Sequence, residues 1–219
     1  MPELVSIPLA IFELLALYLD PDIEKTFIDR KNVVKALFEA FKAWNITFDD
    51  IEVITQGKLS EQGVRFTLPQ KRITVFFGPA AFRFTKDNAS WDQLEQTAEI
   101  LSAALSAVTT AGSFTMASYK TMMSMHLQPK TARFMDILRP FVPPQLAQLE
   151  TEQTTTMASV VVWNKRKITL DGSATIANAL FLRLERDFPG DATIDEMAKQ
   201  LRDDQILIFD TLGIEEDRS

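Results

Sequence analysis

The sequence predicts an α+β fold with two similar halves, an N-terminal half at residues 1–112 and a C-terminal half at residues 113–219. Short segments alternate apolar and polar residues between turn signals, as half-buried strands do. Longer segments repeat apolar residues three and four positions apart, as amphipathic helices do. The element order is β-α-β4-α and then β-α-β3-α. We therefore expect each half to be an antiparallel sheet with helices packed on one face, and the halves to pack together as one globular unit.

Alternation and turn residues predict the strands of the first half. The second part of an early apolar run, residues 12–19, is predicted to be a strand because Asp20-Pro21 ends it sharply. Glycine and proline residues separate further alternating segments. These segments are predicted to be four short strands: residues 51–55, 64–68, 73–77 and 81–85.

Helical spacing and capping residues predict the helices of the first half. Residues 30–44 place apolar side chains on one helical face. Ser90, with Gln93 three residues later, has the pattern of a capping box. A long helix is expected to follow, and Gly112 is expected to end it.

The second half repeats this order. Residues 114–127 are predicted to be a long strand, followed by a short helix that begins near Phe134. Thr193 and Glu196 form another capping-box pattern before a last helix, which Gly213 ends. The strands between these helices are predicted at residues 154–163, 167–170 and 175–186, with turns at Asn164-Lys165 and Asp171-Gly172 and an acidic tail at residues 215–217.

Three features carry a resemblance to known proteins. They are a strand at residues 8–19 with an internal Glu13, a segment at 82–91 that leads into a long helix, and Phe209 near the end of the last helix. With them the chain resembles a sporadically distributed family of uncharacterised bacterial proteins. The element order also resembles the saddle-shaped TATA-binding-protein-like fold and the helix-grip folds. These resemblances imply a duplicated α+β fold and a bacterial source, but they carry over no activity and no catalytic residues.

The composition excludes several classes of protein. The 219 residues contain no cysteine and one histidine, so no disulfide and no cysteine-ligated metal site is possible. The net charge of −7 disfavours non-specific nucleic-acid binding. The chain has no signal-peptide pattern, and its longest apolar run is interrupted by Glu13. We therefore expect a cytoplasmic protein that binds neither a membrane nor nucleic acid.

Few residues suggest catalysis or metal binding. His126 has no further metal donors at ligand spacing, so we expect it to pack structurally within a strand. No glycine-rich phosphate loop accompanies the acidic clusters. We therefore expect no metal and no cofactor, and we interpret the clusters as solvated faces: Asp49, Asp50 and Glu52, and Asp203, Asp204 and Asp210.

Two segments could contact a ligand or partner. Val75, Phe76 and Phe77 are consecutive, so both faces of their strand are apolar and one face must meet another layer, a partner or a ligand. Trp163 precedes the densest basic stretch, residues 164–167. A solvated hairpin tip explains that stretch, although an aromatic beside basic residues can also clamp a nucleic acid. The candidate contact residues are Phe76, Phe77, His126, Trp163, Lys165 and Arg166.

The sequence therefore favours a non-catalytic cytoplasmic interaction protein that acts through a protein partner or through self-association. Two-sided apolar strands and 16 phenylalanines support this expectation. The alternative is a protein that binds a small apolar ligand in a cavity between sheet and helices. A third possibility is an enzyme that uses carboxylates and a metal ion.

Overall fold

The computed structural model describes residues 2–19, 23–58, 61–112, 114–139, 159–163 and 165–217. It confirms the predicted α+β class, with largely antiparallel strand pairing. The helices are α1 (Ile23–Phe41), α2 (Leu94–Ala111), α3 (Phe134–Leu138) and α4 (Ile194–Leu212). The strands are β1 (Glu3–Tyr18), β2 (Ile51–Ile54), β3 (Gly63–Leu68), β4 (Ile73–Phe77), β5 (Ala81–Asp87), β6 (Met116–Pro129), β7 (Ser159–Trp163), β8 (Arg166–Gly172), β9 (Leu180–Pro189) and β10 (Ile214–Glu216).

The chain forms two compact units. The first unit contains residues 11–121 and 187–198, and the second contains the described parts of residues 1–10, 122–186 and 199–219. Each unit therefore combines segments from both predicted halves. The duplication of one half into the other stays a prediction.

The first unit is a sheet covered on one face by α1 and α2. Its strand order is β2-β3-β4-β5-β1-β6, and each pair from β2 to β1 is antiparallel. Alternate side chains of β3, β4 and β5 point to one face, because the side-chain period of a strand is two. They join inward side chains of both helices in one core, which includes Phe66, Phe77, Phe82 and Phe84 from the strands, Val33, Leu37 and Phe41 from α1, and Ile100, Ala104 and Val108 from α2.

Ser90 is confirmed as a cap, without the reciprocal Gln93 contact of a capping box, and the capping box at Thr193 and Glu196 is confirmed. Ser90 Oγ accepts a hydrogen bond from the Asp92 amide, and a short 3₁₀ turn, Trp91–Gln93, precedes α2. At α4, the Glu196 carboxylate accepts from the Thr193 amide at 2.9 Å. The Glu196 amide donates to Thr193 Oγ1 at 3.2 Å, which completes the capping box.

The second unit is also built on a sheet. Strands β1, β6, β9, β8 and β7 follow one another in that order, and β10 pairs with β1. The β7–β8 and β8–β9 pairs are antiparallel, whereas β1 and β10 are parallel, with Glu3 opposite Ile214. The acidic tail expected at residues 215–217 therefore contributes a strand. Leu201, Ile208, Phe209 and Leu212 of α4 are buried.

Several element boundaries differ from prediction. α1 begins at Ile23 and not at residue 30, and β9 spans Leu180–Pro189 and not residues 175–186. β1 begins at Glu3 because the whole early apolar run is extended. The turn predicted at Asp171-Gly172 is wrong, since β8 continues through Gly172, which pairs with Leu180. The chain turns at residues 173–179 instead, where the Ser173 amide donates to the Ala179 carbonyl at 2.8 Å. Residues 154–158 of a predicted strand lie outside the described residues.

None of the described helices is both long enough and apolar enough to cross a membrane.

Candidate functional site

Helix α1 presents more apolar surface than its core contact needs. Val33, Leu37 and Phe41, four residues apart, are fully buried against the core. The next row around the helix, Val34 and Phe38, is only partly buried. This second row leaves an apolar shelf along the side of α1.

The shelf forms one wall of an open groove, which we call the α1 groove. Its other wall is Phe48, in a 3₁₀ turn before β2, together with Ile51, Val53 and Val64 of the β2–β3 hairpin. The groove has a volume of about 1090 Å³. Phe48 and Val53 are 77% and 58% exposed, respectively. Large apolar side chains this exposed, side by side, are typical of a binding surface.

An aromatic stack lies in the α1 groove. The rings of Phe38 and Phe48 are 4.6 Å apart between centroids and only 13° from parallel. Lys42 Nζ lies 5.4 Å from the centre of the Phe38 ring, close enough for a cation–π contact. The stack gives Phe48 one fixed neighbour and leaves the rest of its ring open to a partner.

Basic side chains dominate the rim of the α1 groove. Among the described lining residues, the charged ones are Arg30, Lys31, Lys35, Lys42 and Glu39. Arg30 donates to the Gly63 carbonyl at 3.0 Å, and Lys42 lies 2.7 Å from the Glu39 carboxylate. Exposed pairs of this kind contribute little to stability. Because four of these five charged side chains are basic, the rim is locally positive on a chain whose net charge is −7.

The two phenylalanines predicted as contact residues lie on opposite faces of β4. Phe77 is 1% exposed, and its ring packs near those of Tyr18 and Phe114 in the core. Phe76 is half-buried on the other face. A Cβ atom at Gly63 or Gly78 would lie 2.7 Å from the Phe76 ring, so these glycines provide the space for it. Neither phenylalanine lines the α1 groove.

His126 is hydrogen-bonded to a serine of the second unit. Its Nδ1 lies 2.7 Å from Ser173 Oγ, and its ring centroid lies 5.3 Å from that of Phe181. Ser173 Oγ accepts hydrogen bonds from the amides of Thr175 and Ile176. With those two bonds accepted, the Ser173 hydroxyl proton can point at Nδ1, an assignment that requires the Nε2-protonated tautomer of a neutral His126. This arrangement holds the turn at residues 173–179.

Burial lowers the pKa of His126 below its ordinary value of 6.5. The unfolded chain therefore binds a proton at a higher pH than the folded chain does. We expect the free energy of unfolding to decrease as the pH falls through 6.5 towards the lowered folded pKa, and the contribution to be constant above that range. Urea unfolding at about pH 7.5 and about pH 5 measures this dependence. His126→Gln should show a smaller decrease, and equal decreases in both proteins would contradict the assignment.

The basic stretch at residues 164–167 is largely paired with buried carboxylates. Arg166 Nε lies 3.1 Å from Asp204, and Lys167 Nζ lies 3.0 Å from Glu185. Lys165 is exposed in a left-handed turn, with φ of 65°. Trp163 ends β7, and its side chain lies outside the described part of the structure. Arg166 therefore already has a structural partner. Lys165 is an exposed basic residue in the turn between β7 and β8.

The predicted acidic clusters are divided among local contacts. Asp50 accepts from the Thr47 amide and hydroxyl at 2.8 Å, and these bonds lower its pKa. Glu52 pairs with Arg65 at 2.7 Å. Asp204 binds two arginines, Arg166 and Arg186. Within the described ranges, no three His, Asp or Glu side chains are grouped to hold a metal ion.

Sequence reasoning missed the α1 groove. Its main residues, Phe38, Phe48, Lys35 and Val53, were not among the predicted contact residues. One signal was present: residues 33–34 and 37–38 are adjacent apolar pairs, so the apolar stripe is wider than a single row. Such a stripe can serve two contacts, one with the core and one outside it.

Comparisons with known proteins add little. No family model matches the chain, and no curated protein matches it. A rolling circle replication initiator protein from Geobacillus stearothermophilus is among the solved structures found. It is 10% identical, with a TM-score of 0.31 over 92% of this chain and 80% of that chain. Membership of the bacterial family that the sequence resembles stays a prediction.

Proposed function

We propose that this chain is a non-catalytic, cytoplasmic interaction protein whose α1 groove docks an acidic, amphipathic segment of a protein. The observation that carries the proposal is the exposed Phe38–Phe48 stack beside a basic rim. Amphipathic helices bind grooves of this kind through apolar residues at helical spacing.

The apolar part of the groove supplies the affinity. Removing one large apolar side chain from water contributes about 1.5–3 kcal/mol. Phe48 is 77% exposed, so most of that gain is still available to a partner. Aromatic anchors at the centre of an interface commonly dominate its binding energy.

The basic rim supplies the selectivity. Acidic side chains at the edges of a docked segment would meet Lys31, Lys35 and Lys42. Exposed charges act over about 8 Å at physiological salt, so a short segment responds mainly to this local field. A long polyanion such as nucleic acid also meets the overall charge of −7, which opposes it.

A labelled peptide tests the proposal. The probe is a fluorescein-labelled helical peptide with leucines at i, i+3, i+4 and i+7 and glutamates beside them, and binding is followed by fluorescence anisotropy. We expect Phe48→Ala to weaken binding by about tenfold or more. Val162→Ala, which truncates another side chain that is 70% exposed, should leave binding unchanged.

Charge-reversal variants provide a second test of the proposal in the same peptide-binding assay. Lys35→Glu should weaken binding of the acidic peptide, whereas Lys165→Glu, outside the groove, should not. A peptide with lysines in place of glutamates should bind poorly to the unmodified protein. Equal binding of both peptides, or no effect of Phe48→Ala, would refute the proposal.

A small apolar ligand is the second candidate for the same groove. The volume of about 1090 Å³ and the apolar walls are large enough for such a ligand. Native mass spectrometry of the purified protein distinguishes the two candidates. A retained mass of a few hundred daltons that Phe48→Ala abolishes would favour the small ligand.

A further inference from the structure

Helix α4 carries an exposed stripe on the side away from its buried residues. Asp203, Ile206, Leu207 and Asp210 lie at i, i+3, i+4 and i+7, so they share one face of the helix. Ile206 and Leu207 are 51% and 49% exposed, and both aspartates are exposed. We call this set the α4 stripe.

The opposite side of α4 explains why the stripe faces outward. Leu201, Ile208 and Phe209 are buried, and the Asp204 carboxylate is occupied by two arginines. Core packing therefore fixes the rotation of α4 about its axis. The α4 stripe is left as an apolar pair with an acidic residue at each end.

This pattern is the complement of the α1 groove. The groove has apolar walls and a basic rim, whereas the stripe has an apolar centre and acidic ends. Lys35 lies on α1 and Lys42 in the 3₁₀ turn that directly follows it, seven residues later. Asp203 and Asp210 are likewise seven residues apart on α4. At 1.5 Å per residue, both pairs span about 10 Å along the helix axis.

We infer that the α1 groove of one copy of this chain docks the α4 stripe of a second copy. This inference rests on the proposed function of the groove, and it names the segment that the groove takes. An antiparallel alignment sets Asp210 against Lys35 and Asp203 against Lys42.

Groove and stripe are different surfaces, so the contact is heterologous. Each copy offers one of each, and repeated contacts close into a ring or continue as a filament. One helix in one groove buries less area than a permanent dimer interface does. We therefore expect reversible association. It should weaken as the salt concentration rises, because the lysine–aspartate pairs at the two ends of the contact are exposed charges.

A charge-swap experiment on the full chain tests the inference. The groove variant is Lys35→Glu with Lys42→Glu, and the stripe variant is Asp203→Lys with Asp210→Lys. Sedimentation velocity over a concentration series measures association of each protein alone and of an equal mixture. We expect the unmodified chain to associate and each variant alone to associate at least about tenfold more weakly, because like charges then face each other.

The mixture is the decisive sample. The negative groove of one variant then meets the positive stripe of the other, so we expect the mixture to associate again. A monomeric unmodified chain, unchanged association of either variant, or a mixture that stays monomeric would each overturn the inference. Thermal melting of each variant, expected to match the unmodified chain, confirms that the exposed changes leave the fold intact.

Different results refute the proposed function of the α1 groove and the inferred self-association. If self-association is absent but the acidic peptide still binds the α1 groove in a Phe48-dependent way, the groove docks a different protein. If the peptide does not bind either, the groove function itself is refuted.

Discussion

Replacing Asp204 with alanine is expected to lower the free energy of unfolding by about 3–5 kcal/mol. Asp204 is 6% exposed, and its carboxylate lies 3.1 Å from Arg166 Nε and 2.8 Å from Arg186 Nη1. Removing it deletes a buried carboxylate that two half-buried guanidinium groups contact. The desolvation of those charges is then offset less completely, which is why breaking a buried ion pair costs more than breaking an exposed one.

Urea unfolding followed by circular dichroism measures the effect of Asp204→Ala. The matched control is Asp187→Ala, which removes an exposed carboxylate beside Arg186. We expect the control to change the free energy of unfolding by no more than about 0.5 kcal/mol. Similar losses in the two variants would show that Asp204 has no special stabilising role.

Phe66→Ala is expected to cost about 3–5 kcal/mol of stability, because it deletes a large side chain from a fully enclosed site. Phe66 is 0% exposed and lies on β3 opposite Val75 of β4. Its ring centroid is 5.8 Å from that of Phe41, in an edge-to-face arrangement. This contact joins the inner face of α1 to the sheet, so its loss leaves a cavity directly beneath the helix.

Phe48→Ala is the control with the same chemical change at an exposed site. Its ring contacts Phe38 but is mostly open to water. We expect it to cost no more than about 1 kcal/mol of stability while it weakens peptide binding by about tenfold or more. Thermal melting and urea unfolding measure both variants. A stability loss as large as that of Phe66→Ala would mean that Phe48 serves the fold and not a partner.

The sheet of the first unit was predictable because its signals are local. Alternation in β3, β4 and β5 depends on residues two positions apart, and turn residues separate these strands in the sequence. The caps at Ser90 and Thr193 are contacts across only two or three residues. Signals of this kind can be read from neighbouring residues without knowledge of the rest of the fold.

The turn at residues 173–179 was not predictable in the same way. Asp171-Gly172 is a strong hairpin pattern, yet its residues pair within β8. The serine that follows closes the turn by accepting two amides and contacting His126, which is 47 residues away. A contact at that separation overrides the local preference, and no pattern in the segment itself shows it.

The α1 groove was missed for a similar reason. Phe38 lies on a helix and Phe48 in a short turn after it, and only the folded chain stacks their rings. The sequence shows two phenylalanines, one of which has the spacing of a core residue. Whether an apolar residue faces the core or a groove depends on helix rotation, which the packing of Val33, Leu37 and Phe41 decides.

The parallel pairing of β1 with β10 bears on how the chain reaches this structure. Glu3 to Val5 pair with Ile214 to Glu216, strand residues from opposite ends of the sequence. Closing so long a loop costs chain entropy before any hydrogen bond forms, and contacts of high sequence separation slow folding. During synthesis the first residues of β1 emerge long before their β10 partner exists. That part of β1 is therefore exposed to mispairing in a nascent chain until β10 has been made.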